Sequence, residues 1–155
     1  MLRGTQHGAN ALQFKGEIFS YGGVGFFSNT ILVKFIMSKF DRFVITFDLD
    51  QNQNVSRCLQ NLGLKKHVHY FPIGIDVAGK RNVEGLLPDS IRVAVYSNNA
   101  ELVAAATDGE KQERESAKSK LKQLLLEEFS QTATKTSDYF SEFYKLTKLL
   151  NKVLK

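Results

Sequence analysis

The run Phe43-Val44-Ile45-Thr46-Phe47-Asp48-Leu49-Asp50 decides how the rest of the chain is read. Its first five residues are β-branched or aromatic without a break, the composition of a strand covered on both faces, and it stops at two aspartates one residue apart. Neighbouring carboxylates at the end of a buried strand repel each other and are costly to desolvate; a divalent cation removes that cost. Residues i and i+2 of an extended strand point to the same face, so Asp48 and Asp50 can aim oxygens at one ion if the strand continues through Leu49. Hard oxygen ligands favour Mg²⁺ or Mn²⁺ over Zn²⁺. The competing reading is a polar loop that follows a strand.

Working outward, Gly22-Gly23-Val24-Gly25 predicts a tight turn, and Asn29 to Phe40 carries Ile31, Leu32, Phe35 and Ile36 at helical spacing, a helix whose apolar face would lie beneath the strand. On the other side, Asn54 to Leu62 reads as a short helix stopped by Gly63, and Tyr70 to Ile75 as a second strand interrupted by Pro72. Strand, helix, strand implies right-handed crossovers and an α/β fold with a mostly parallel sheet flanked by helices. Ligands in such sheets bind beyond the carboxyl ends of the strands, where the aspartates stand.

The ends are less regular. Met1 to Asn10 has no period and predicts a frayed start, Leu12 to Tyr21 a short strand, and Ile91 to Tyr96 either a strand or a helix. Glu110 to Phe129 is an amphipathic helix with Ala117, Leu121, Leu124, Leu125 and Phe129 on one stripe and a basic flank; Ser137 to Leu154 is another, on Tyr139, Phe143, Leu146, Leu150 and Val153. The C-terminal helix therefore occupies about residues 137–155.

At 155 residues, with 43% apolar and 24% charged side chains, the chain suits a single domain over 1–155 and excludes disordered and fibrous classes. No apolar run approaches the ~20 residues of a spanning helix and no signal-peptide pattern opens the chain, so a membrane partner is not expected. One cysteine, Cys58, makes no internal disulfide and gives a cytoplasmic setting as the default. A net charge of +5 favours a polyanionic partner.

A second acidic pair, Glu84 and Asp89, flanks Gly85-Leu86-Leu87-Pro88. Four carboxylates could hold two ions for in-line attack on a phosphodiester; a solvated loop is the plainer reading. Lys80 and Arg81 could contact a DNA backbone beside the metals or pair with Glu84. His67 and His69 read as a polar turn, and Cys58 as a small core residue.

The strand with its DxD ending resembles the Toprim nuclease domain, and Val83-Glu84-Gly85-Leu86-Leu87-Pro88-Asp89, with the Gly22–Gly25 turn, resembles Toprim domains of OLD-family ATP-dependent endonucleases over about residues 14–128. The resemblance implies a Toprim-like core, an Mg²⁺- or Mn²⁺-dependent enzyme that nicks or cleaves DNA, an ABC-type ATPase domain or subunit as partner, homo-oligomers and a part in phage defence. It makes Asp48, Asp50, Glu84 and Asp89 metal ligands, gives Glu84 a catalytic part, and calls for a lysine to stabilise charge on phosphate, for which Lys118 is chosen ahead of Lys120. Toprim domains open on a strand followed by a glutamate that this chain does not match, Glu17 lying in a different context. There is also no Gly-x-x-x-x-Gly-Lys-Ser/Thr pattern, so the expectation is the C-terminal part of such an enzyme.

Two other functions compete. A non-catalytic Toprim remnant could serve as a DNA-binding or oligomerisation module. A haloacid-dehalogenase-type phosphatase also uses DxD after a strand, with the first aspartate as nucleophile, but expects threonine or valine where Asn52 stands.

Overall fold

The computed structural model describes Gln13 and residues 16–21, 23–132 and 140–154. The expectation for Met1 to Asn10, and those for Gly22 and Tyr139, fall outside these residues. The chain divides into two compact units, Met1–Val83 with Phe143–Lys155, and Glu84–Glu142.

The first unit runs through a 3-10 turn (Val24–Ser28), α1 (Thr30–Lys39), β1 (Ile45–Asp48), a 3-10 turn (Leu49–Gln51), α2 (Asn52–Asn61) and β2 (Tyr70–Ile73). Asn29 caps α1, its Oδ1 accepting the Leu32 N–H at 3.4 Å. After α2 the chain reverses through Gly63 at φ +81°, a conformation that favours glycine. β1 and β2 pair in parallel with Ile45 opposite Tyr70 and Asp48 opposite Ile73. Pro72, which cannot donate to a ladder, is tolerated because every strand of a two-stranded sheet is an edge.

The first unit's core gathers around Phe27, Val33, Phe47, Leu59 and Tyr70. Phe27 meets Phe47 edge-on at 6.0 Å between ring centres, and Phe47 stacks with Tyr70 at 5.9 Å. Burying such side chains stabilises by about 1.5–3 kcal/mol each.

The α/β reading holds in a reduced form: among the described residues the sheet is small, parallel and two-stranded, and the chain is mostly helical. Three local expectations change. The strand begins at Ile45 and alternates buried with half-buried residues, so it is not covered equally on both faces. α1 turns only Val33 fully inward, while Ile31 is 76% and Phe35 55% exposed. Residues 16–21 form no strand.

The second unit contains α3 (Asp89–Asn98), α4 (Ala100–Asp108) and α5 (Lys111–Thr132); α6 (Ser141–Leu154) begins in it and continues into the first. The Ile91–Tyr96 ambiguity resolves as helix. Ile91 and Val95, four apart, fall on one face, and Asp89 in the first turn favours the positive helix end. They pack with Leu121 and Leu125 of α5, the stripe read from the sequence.

α6 buries polar residues most completely. Thr147 donates its hydroxyl to the Tyr144 carbonyl at 3.1 Å, and the Asn151 Oδ1 accepts the Gln13 N–H at 2.8 Å. Phe143, Leu146, Leu150 and Val153 are half-buried. Among the described residues no helix is long and apolar enough to cross a membrane.

Candidate functional site

β1 delivers Asp48 to its carboxyl end half-buried, and the chain then bends at once into the Leu49–Gln51 turn with Asp50 exposed. The expectation that Asp48 and Asp50 share a strand face through an extended Leu49 is therefore corrected, because Leu49 is helical. What holds the two aspartates is the segment after β2. The Val83 N–H donates to the Asp48 Oδ1 at 3.1 Å, and the Asp50 N–H donates to the Arg81 carbonyl at 2.9 Å.

That segment is braced internally. The Ile75 N–H donates to the Lys80 carbonyl at 2.8 Å and the Lys80 N–H to the Val77 carbonyl at 3.0 Å. The Arg81 guanidinium pairs with Asp76 at 2.5 Å, both side chains more than half exposed.

Sequence reasoning missed Tyr21. The Ile45 N–H donates to the His69 carbonyl, so the alternate residues Thr46 and Asp48 turn their backbone groups to the opposite edge of β1. There the Tyr21 hydroxyl donates to the Thr46 carbonyl at 2.5 Å. Burial, and secondarily the negative charge of Asp48, push the Tyr21 phenol from 10.0 up to about 12. Nothing in residue spacing connects Tyr21 to a strand 25 residues away.

In the second unit Glu84 is mostly buried, with 14% of its side chain exposed. Its Oε1 meets the Lys122 Nζ at 2.9 Å, and its Oε2 is buried with no hydrogen-bond partner among the described residues. Asp89 pairs with Arg92 at 3.3 Å. Lys118 lies one helical turn before Lys122 and pairs with Glu115 at 3.4 Å, and Lys120 is exposed. The lysine that meets Glu84 is Lys122, which the sequence reading did not single out.

The histidines act locally. The His69 Nδ1 accepts the Lys65 N–H at 3.0 Å, and His67, at φ +61°, sets its ring edge-on to Phe71. Cys58 packs half-buried against the core.

Among the described residues no group of three or more His, Cys, Asp or Glu side chains is arranged to hold a metal ion. The donor set at the end of β1 fits a hard cation of the Mg²⁺ kind, which keeps several waters and is commonly held by one or two carboxylates together with substrate phosphate. Asp48 and Asp50 are the residues that would hold it. No family model matches the chain, and neither curated proteins nor solved structures give a significant match.

Proposed function

We propose that this chain is the metal-binding part of a Toprim-like, Mg²⁺- or Mn²⁺-dependent DNA endonuclease, with Asp48 and Asp50 as the principal cation ligands. The observation that carries the reading is the DxD turn at the carboxyl end of β1, beside a parallel partner strand, with Asp48 fixed by a backbone N–H from a separate segment. A cation there supplies Lewis-acid polarisation of a phosphoryl group and a more acidic water.

The chain's own residues support that chemistry in distinct ways. Arg81 belongs to the segment that grips the DxD turn, and its exposed pair with Asp76 is of the kind worth only about 0–1 kcal/mol, so its guanidinium can exchange that partner for a DNA phosphate. Lys80 precedes it in the same segment, and the net charge of +5 suits a polyanion. In the second unit Glu84 pairs with Lys122, Asp89 with Arg92 and Lys118 with Glu115, and the parts proposed for Glu84, Asp89 and Lys118 come from the motif resemblance alone. The ATPase partner and the phage-defence setting come from the motif resemblance.

Nicking of supercoiled plasmid in Mg²⁺ and in Mn²⁺, with Asp48→Ala, Asp50→Ala as control, tests this. Activity lost in the double variant supports the nuclease; turnover that survives it refutes the assignment.

One observation favours a second reading, a non-catalytic oligomerisation or DNA-binding module. α1 exposes Ile31, Leu32 and Phe35 among its lysines, and Phe19, 65% exposed, meets Phe40 at 6.2 Å between ring centres. Exposed apolar side chains that gather into a patch mark interaction sites. Self-association without nicking would favour the module.

A further inference from the structure

We infer that the loop from Gly74 to Val83 is a positioning device for the cation site, so that its docking and cation binding at Asp48 and Asp50 stabilise each other. This rests on the cation reading above and assigns to Gly74 and to the Val83 N–H a part that no motif predicts.

The loop leaves β2 at Gly74 with φ +137°, a conformation that side-chain-bearing residues rarely adopt. A Cβ built there would meet the Arg81 carbonyl carbon at 2.6 Å and the Asn82 nitrogen at 2.9 Å. Gly74 is therefore where the two ends of the loop pass against each other, and only hydrogen fits between them. That close passage aligns the Arg81 carbonyl with the Asp50 N–H and the Val83 N–H with the Asp48 Oδ1, at 2.9 and 3.1 Å.

One bond fixes the Asp48 carboxylate and the other fixes the backbone of the turn that carries Asp50. Both stand at the end of a four-residue strand that has a ladder partner on one side only. A carboxylate oriented in advance by a backbone donor loses less freedom when it binds a cation, and the linkage is reciprocal: a cation on Asp48 must hold the loop down.

The test is Mn²⁺ affinity of the full chain, read from the free-ion signal in electron paramagnetic resonance and compared with thermal unfolding. Val83→Pro removes the donated N–H at the first position of the Val83–Leu86 turn, where proline is tolerated, and leaves both carboxylates in place. We expect at least tenfold weaker Mn²⁺ binding at little changed melting temperature, and the same from Gly74→Ala if that variant folds. Asp76→Ala, which breaks only the exposed ion pair, should weaken binding less than threefold. Unchanged or tighter binding in Val83→Pro overturns the inference while the cation reading stands. If the native chain binds no Mn²⁺, or binds it as well after Asp48→Asn, the cation reading itself fails and the inference falls with it.

Discussion

Asp48 and Glu84 are both carboxylates drawn out of full solvent exposure, yet the two units restrain them by opposite means. Asp48 accepts a backbone N–H from 35 residues away, which orients one oxygen and adds no countercharge. Glu84 faces the ammonium of Lys122 at 2.9 Å, which neutralises it. The consequence is chemical: the Val83 N–H orients an Asp48 oxygen without itself carrying charge, whereas a cation approaching Glu84 must compete with a lysine. The contrast sets Glu84 with Lys122 apart as an ion pair of the second unit, while the proposed cation site depends on Asp48 in the first.

The largest test of the contrast is stability. Leu59→Ala and Leu125→Ala, each removing a buried side chain from a different core, should each cost about 2–5 kcal/mol in denaturant unfolding. Only Leu59→Ala should also weaken Mn²⁺ binding under folded conditions, because Asp48 and Asp50 belong to the first unit. Equal losses of binding from the two would break the comparison.

Next is Lys122→Ala, which leaves the mostly buried Glu84 carboxylate without its cation and should destabilise by about 1 kcal/mol. Adding Glu84→Gln should recover most of that, a coupling that a double-mutant cycle measures. Smaller still, Tyr70→Phe should stabilise by up to about 1 kcal/mol, since the Tyr70 hydroxyl is buried without a hydrogen-bond partner among the described residues.

The finest test is Tyr21. Its folded pKa of about 12 lies above the ordinary 10.0, so the folded state keeps the proton longer. The stability this contributes is complete below pH 10 and is lost as pH rises toward 12. An ultraviolet titration should show a Tyr21 step well above 10.0, and Asp48→Asn should lower that pKa slightly, because the aspartate is the lesser cause. A larger drop would mean that Asp48 charge dominates there.

Short-range pattern made much of this legible. β-branched density found β1, Gly63 marked the end of α2, and the apolar stripe of α5 was correct residue by residue, because each depends on neighbours within a few positions. Contacts between distant segments were not legible. No spacing rule joins Tyr21 to Thr46, Val83 to Asp48 or Lys122 to Glu84. The 3-10 bend at Leu49 was hidden for a related reason: the strand pattern continues through it, while the Arg81 carbonyl holding the Asp50 N–H lies far along the chain.

Anomalous scattering from a crystal of the chain soaked in Mn²⁺ tests the central claim most directly. The account predicts an anomalous peak against the Asp48 and Asp50 carboxylates that disappears in the Asp48→Asn, Asp50→Asn variant. A peak confined to Glu84 or Asp89, or one that survives the double substitution, would contradict it.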